Sequence, residues 1–250
     1  MSEPLVSIIT PTYNCGKFIG KTIESVQRQT HKNWEMLIVD GCSTDDTETV
    51  VNAYCNKDQR IFYYRLDVNS GPAVARNKAM EMAKGTYMAF LDSDDVWIPE
   101  KLTVQISWMN EHDYAFTSTS YEQIDEAGIL LNKIVHSIKK TDYNRLLLDC
   151  PVGNSTVMYN VEKMGKFEVP NIRKRNDDAL WLKMLKREQY IYGMPQILMQ
   201  YRVRQGSVSS NKLNLIKYHW QLYRNIEHLS VAKSLFHIGY WGIIKVLGVK

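Results

Sequence analysis

In the N-terminal part of the chain, apolar runs alternate with helical repeats, and this rhythm restricts the fold more than any other feature. Leu5 to Thr10, Trp34 to Val39 and Tyr87 to Leu91 are largely apolar runs of strand length, as expected for strands buried on both faces. Arg60 to Leu66 is a fourth, more polar candidate. Between them, Gly16 to Gln29 carries Phe18, Ile19, Ile23 and Val26 at helical spacing. Thr44 to Tyr54 reads as a helix with Thr44 as N-cap and Asp45, Asp46 and Glu48 in its first turn. Ser70 to Lys84 reads as another, capped by Ser70, with Pro72 at its start and Gly85 as its stop. Strand and helix in this alternation predict an α/β fold, a mostly parallel sheet flanked by helices. Such sheets bind ligands beyond the carboxyl ends of their strands, where Thr12, Asn14, Asp40, Ser43 and an aspartate cluster fall.

That cluster follows the strand Tyr87 to Leu91: Asp92, Asp94 and Asp95, separated only by Ser93. Carboxylates are costly to desolvate and repel one another at close range, so three at the end of an apolar strand call for a counter-charge. If strand geometry continues, Asp92 and Asp94 share a side, and their oxygens suit a hard cation such as Mg²⁺ or Mn²⁺. The competing reading is a solvated turn whose aspartates cap the next helix.

The second half is less regular. Pro99 to Asn110 reads as a helix, and Tyr114 to Tyr121 and Ile129 to Ser137 as strands around a turn at Asp125 to Gly128. Ser155 to Tyr159 and Ile197 to Val203 are further strand candidates, and Ala179 to Lys186 is an amphipathic helix. With 250 residues there is room for one sizeable α/β domain or two small ones. The net charge of +4, without a basic block or zinc-finger spacing, gives no sign of a nucleic-acid partner. Cys15, Cys42, Cys55 and Cys150 are widely spaced, which suits a reducing cytosol rather than a disulfide framework. The N-terminus lacks a signal-peptide pattern, and no apolar stretch is long enough to span a bilayer.

Six segments in order resemble the GT-A glycosyltransferases of family 2, inverting enzymes that use nucleotide-diphosphate sugars. They are VSIITPTYN at 6–14, WEMLIVDGCSTDDT at 34–47, NSGPAVARNKAM at 69–80, FLDSDDVW at 90–97, NDDALWLKM at 176–184 and YRVRQGSVS at 201–209. The resemblance implies a glycosyltransferase domain over 1–210, with a nucleotide-sugar half at 1–98, an acceptor half at 99–210, and a helical tail at 211–250. It also implies a donor site. Pro11, Thr12, Tyr13 and Asn14 would hold the nucleobase, Asp40 would accept a hydrogen bond from it, and Arg76 would lie close to the nucleotide. Asp92 would lie near the ribose and Asp94 on the metal, with Ser93 between them, and Arg202, Arg204 and Ser207 in a loop near the diphosphate.

The resemblance further implies a catalytic base near 176–178, because an acceptor hydroxyl is a poor nucleophile until its proton is removed. The family commonly has Glu-Asp before the Trp. Counting back from Trp181, Asp177 takes the Asp position and Asn176 the Glu position, so Asp177 is the candidate base and Asp178 the runner-up. A pair of helix N-caps is the bland reading of both. Two departures, Asn176 and the Gly41-Cys42 pair where the family has Gly-Ser, leave a non-catalytic nucleotide-sugar-binding protein as the alternative function.

The expected donor is a UDP-sugar, and the expected acceptor a carbohydrate or lipid-linked saccharide. The ion is Mn²⁺ or Mg²⁺, and the setting is cytoplasmic, on the inner face of the cell membrane. The tail is basic, with Glu227 as its only acidic residue, and is rich in apolar and aromatic residues from Leu235 to Val249. It suits a helix lying in a membrane interface, or one packed on the domain or against another subunit.

Overall fold

The structure is a computed structural model that describes residues 3–204 and 212–247, with side chains for 3–204 and 215–244. The 205–209 part of the YRVRQGSVS segment, including Ser207, therefore lies outside the described residues.

The opening rhythm becomes β1 (Val6–Thr12), α1 (Gly16–Gln27), β2 (Trp34–Asp40), α2 (Thr47–Cys55), β3 (Ile61–Arg65), α3 (Pro72–Met82) and β4 (Tyr87–Phe90). These strands pair in parallel in the order β3-β2-β1-β4. Beyond the aspartates come β5 (Val96–Trp97), α4 (Lys101–Glu111), β6 (Phe116–Ile124), β7 (Leu130–Val135), β8 (Lys140–Thr141) and α5 (Tyr143–Leu148). A 3₁₀ turn at Asn154–Thr156 leads into β9 (Met158–Asn160), α6 (Val161–Met164), α7 (Asn176–Met184) and β10 (Ile191–Arg202). The sheet continues from β4 through antiparallel β9 to β6, then to β10 in parallel with β6, and ends at β5. The tail is α8 (Lys212–Gln221), a π-helical turn at Leu222–Ile226 and α9 (Val231–Leu247).

Side-chain alternation sorts the strands into two cores. Ile9, Leu37, Val39, Met88 and Phe90 pack with α3 and α7 on one face. Val6, Ile8, Met36, Ile38, Ala89 and Leu91 pack with Ile19, Ile23 and Val26 of α1 and with α4 on the other. Burial on both faces is why these strands read as unbroken apolar runs.

Several boundaries differ from the sequence reading. Thr44 is not a cap: α2 starts at Thr47 after Asp46, and the Thr44 N–H donates to Asn14 Oδ1 at 2.8 Å. Ser70 is not one either. Gly71 precedes α3 at φ +89°, a left-handed conformation that favours glycine. Helix α3 already ends at Met82, and Gly85 has another task. A Cβ there would lie 2.6 Å from the Ser7 backbone nitrogen, so the residue allows close approach to β1. The strand expected at Ser155–Tyr159 begins in the 3₁₀ turn, because the Ser155 hydroxyl and the Asn154 amide bond the aspartate loop instead of a ladder. Strand β10 starts six residues earlier than Ile197, with register irregularities between Met194 and Met199 that absorb Pro195.

Candidate active site

The register brings the ends of β1, β2 and β4 together. Thr12 lies opposite Asp40, and Ile9 opposite Phe90, two residues before Asp92. From the far side, β10 delivers Arg202 alongside Ile124.

The first two strand ends are tied by polar side chains. Asn14, at φ +47°, donates its N–H to Ser43 Oγ at 2.8 Å and accepts from the Thr44 N–H. Asp40 is fully buried. Its Oδ1 accepts from the Ser43 N–H and hydroxyl at 2.9 and 2.6 Å, and its Oδ2 from the Tyr63 hydroxyl at 2.7 Å. Asp45 accepts from Gly16 N–H and from Thr47. Desolvation opposes its charge, but these hydrogen bonds win and hold its carboxyl below the usual range. Tyr13, by contrast, leaves nearly half of its ring exposed, at 47%. Pro11 continues β1, and the buried Thr12 hydroxyl has no hydrogen-bond partner among the described residues.

The aspartate loop turns sharply rather than continuing β4. The strand ends at Phe90, and the Asp95 N–H donates back to the Asp92 carbonyl at 3.1 Å. Strand alternation therefore does not set the relation of Asp92 to Asp94. The 3₁₀ turn, Arg76 and the end of β10 surround the loop instead. Asp92 Oδ1 accepts from Asn154 Nδ2 at 2.8 Å and faces Arg76 at 3.4 Å. Asp95 is buried, bonded by the Ser155 hydroxyl at 2.5 Å and the Arg202 N–H at 3.0 Å. The Ser93 carbonyl accepts from Thr22 and Cys15. Asp94 Oδ2 pairs with Arg204 Nε at 2.7 Å.

Burial pushes the Asp92 carboxyl up to about 6. Arg76 opposes that rise, and the charges of Asp94 and Asp177 add to it. Burial and the charges of Asp94 and Asp92 push Asp95 well up.

Asp177, in the first turn of α7, is thus near enough for its charge to act on Asp92. Helix α7 starts at Asn176, so Asp177 and Asp178 stand in its first turn and are not its N-caps. Arg175 precedes it at φ +63°, a conformation unusual for a residue with a side chain, and its guanidinium pairs with buried Asp178. Asp177 is half-buried. Arg76 spans the two parts, donating to Asn176 Oδ1 on α7 and facing Asp92.

Arg202 is buried and directed inward. Its guanidinium donates to the carbonyls of Asp94, Asp125 and Glu126 at 2.8–3.1 Å, bracing the aspartate loop against the β6–β7 turn. The sequence reading missed Asn154, Ser155 and Tyr63. A Gly-Asn-Ser-Thr cluster at 153–156 ahead of an apolar strand is the signal for the first two.

The donor set fits a divalent cation shared with a phosphate ligand. Asp92 and Asp94 supply hard oxygens, and Mg²⁺ commonly takes one or two carboxylates plus substrate phosphates. Among the described residues no group of three His, Cys, Asp or Glu side chains forms a metal cage made of protein alone.

Taken together, the sheet order and the strand-end aspartates are those of a GT-A type fold. Residues 7–170 match the family described as Glycosyl transferase family 2, and the chain belongs to that family and is a glycosyltransferase. A Bacillus subtilis (strain 168) protein assigned to teichuronic acid biosynthesis as the glycosyltransferase TuaG is 45% identical over 232 residues, 93% of this chain and 92% of that protein. The Escherichia coli UDP-Glc:alpha-D-GlcNAc-diphosphoundecaprenol beta-1,3-glucosyltransferase WfgD is 36% identical over 251 residues, 100% of this chain and 96% of its own. Among solved structures, Staphylococcus aureus TarS 1–349 in complex with UDP-GlcNAc matches with a TM-score of 0.70 at 21% identity, covering 93% of this chain and 70% of that one. The Pyrobaculum calidifontis mannosyltransferase PcManGT, with GDP-Man and Mn²⁺, matches at 0.67 and 16% identity, covering 92% of this chain and 66% of that one.

Proposed function

We propose that this enzyme is a metal-dependent, inverting transferase. It moves a sugar from a UDP-sugar to a hydroxyl of a lipid-linked saccharide during surface-polysaccharide assembly, on the inner face of the cell membrane. The observation that carries the reading is the placing of the aspartate loop beside the ends of β1 and β2, with Arg76 linking Asp92 to Asn176 at the start of α7. The names of two relatives, one assigned to teichuronic acid and one acting on a diphosphoundecaprenol-linked sugar from UDP-Glc, support the substrate classes.

On this reading residues 1–98 bind the donor. Tyr13 stacks on the base and Thr12 and Asn14 meet its edge, while Asp40, expected to accept from the base, is fully buried with both oxygens bonded by Ser43 and Tyr63 and holds the strand end instead. A cation held by Asp94 and Asp92 supplies positive charge to the leaving diphosphate. Arg204, which pairs with Asp94, would have to release that carboxylate for it to hold the cation. Residues 99–210 present the acceptor hydroxyl, whose proton passes to a carboxylate oxygen of Asp177 as the oxygen attacks the sugar opposite the diphosphate. Asp178, locked to Arg175, fixes the first turn of α7 and so aims Asp177.

The test is nucleotide release from a panel of UDP-, GDP- and dTDP-sugars with Mn²⁺ or Mg²⁺, in the presence of a diphosphoprenyl-linked acceptor. UDP release that depends on metal and acceptor supports the reading. Release from GDP- or dTDP-sugars alone overturns the donor, and undiminished release in chelator overturns the metal.

A further inference from the structure

Helix α9 breaks the usual rule for a surface helix, which is to turn apolar residues inward and charged ones outward. Its packed side is ordinary. Ser234 and Trp241 are buried, and Trp241 lies 4.5 Å from the His219 ring of α8. The opposite side is apolar as well. Val231, Leu235, Phe236 and Ile243 are 50–62% exposed, with Ala232 and Gly239 filling the face between them. Tyr240 lies at the edge of this ridge, 37% exposed, and Lys233 is exposed on the same flank, seven residues earlier. On α8, Ile216 and Trp220 are a further exposed apolar pair one turn apart, with Lys217 between them.

The charged side chains that the tail itself exposes have one sign. From Gln189 to Lys250 the only acidic residue is Glu227, and it is buried, accepting from Tyr143 and paired with Lys186 at 2.8 Å. An apolar ridge with Lys233 on its flank, in a tail whose one acidic side chain is buried, is complementary to an anionic bilayer surface. A second copy of the chain is a poorer occupant, because mating two such faces brings lysine towards lysine. Helix α9 is shorter than a bilayer core. Its 17 residues extend about 25 Å against a hydrocarbon core of about 30 Å, and no described helix is long and apolar enough to cross a membrane.

We infer that the outward face of α9 is a monotopic membrane-docking surface, with Leu235, Phe236 and Ile243 entering the acyl boundary and Lys217 and Lys233 meeting anionic headgroups. The inference does not depend on the donor or the base, and its test uses lipid binding alone. The full chain is sedimented with vesicles of phosphatidylcholine alone and of phosphatidylcholine with phosphatidylglycerol, at low and high salt. The parent is expected to bind the anionic vesicles and to be released by salt. F236S/I243S, altered at exposed positions, is expected to bind at least tenfold more weakly with an unchanged thermal midpoint. K217E/K233E is expected to lose the preference for anionic lipid, and it keeps the question open to test if the serine variant is unstable. Failure of the parent to bind either vesicle overturns the inference, as does parent-like binding by both variants. So does a concentration-dependent dimer in sedimentation velocity that F236S/I243S dissociates while vesicle binding persists. That last outcome assigns the ridge to a second copy.

Discussion

Lys101 offers a stability measurement that reports on the floor of the active site. It is fully buried at the start of α4, with its Nζ bonded to Gln105 and, at 3.3 Å, to the Thr156 carbonyl, 4.7 Å from the centre of the Trp97 ring. Thr156 belongs to the same 3₁₀ turn that holds Asp92 and Asp95. Burial lowers the Lys101 ammonium from 10.5 to about 7. The sign follows from proton counting. Between about pH 7 and 10.5 the unfolded chain binds the proton and the folded chain does not, so this group's stability contribution rises with pH through that window and is flat below it. From about pH 7.5 to about pH 9.5 the parent should gain roughly 2–3 kcal/mol relative to Lys101→Met, which has nothing to titrate there. The partners of Nζ favour the charged form and hold the gain at the lower end of that range. Urea unfolding of parent and variant across the window gives the difference directly, with the other titrating groups cancelling. A constant difference, within about 0.5 kcal/mol, would refute a desolvated lysine at this position.

The site itself gives sharper tests. Asp94→Asn should abolish Mn²⁺-dependent UDP binding in calorimetry with an unchanged circular-dichroism spectrum; parent-like affinity for both ligands removes Asp94 from the metal. Asp177→Asn should lower turnover by about 10² to 10⁴-fold with donor affinity little changed, as expected for a lost general base. Asp178→Asn should instead lower the melting midpoint, since it leaves the partly buried Arg175 without its ion pair, at a cost of about 1–3 kcal/mol. An active Asp177→Asn beside a folded but inactive Asp178→Asn would exchange the two roles. Ser155→Ala removes a donor to Asp95 and an acceptor for the Asp92 N–H, and should cost about 2–4 kcal/mol in denaturant unfolding; a loss below about 1 kcal/mol would show that the 3₁₀ turn does not hold the loop.

How much of this was legible in the residues depended on the range of the interactions. Ile8 and Ile9, or Ile38 and Val39, declare a strand buried on both faces because alternation is a local property, and β1 to β4 appeared at close to their actual bounds. The two cap assignments failed for different reasons, one distant and one local. Thr44 spends its N–H on Asn14, thirty residues away, and Gly71 is set by the backbone turn into α3. Strands β5 and β8, two residues each, exist only because β10 pairs with them, and no periodicity marks so short a segment. In the site, the aspartates were visible as residue types, but their surroundings were not. Asn154, Ser155 and Arg202 reach the loop from 60 to 108 positions away, and only the sheet order brings them there. Arg202, expected at the diphosphate, braces the backbone of that loop, while Arg204, two residues on, carries the charge that faces Asp94.

The departure at Asn176 also has an account in charge balance. Arg76 is the buried cation shared between the aspartate loop and α7, and it serves Asp92 and the amide oxygen of Asn176 at once. The charges of Asp94 and Asp177 already act on Asp92, and with burial they drive it up to about 6 against the pull of Arg76. A glutamate at 176 would put a fourth carboxylate beside the same guanidinium and divide its charge further. Asparagine keeps the hydrogen bond that ties α7 to the loop and omits that charge, so more of Arg76 is left to hold Asp92 ionised. The substitution therefore changes the electrostatics around the candidate base without removing it, which is the behaviour expected of a working transferase rather than of a binding protein on the same fold.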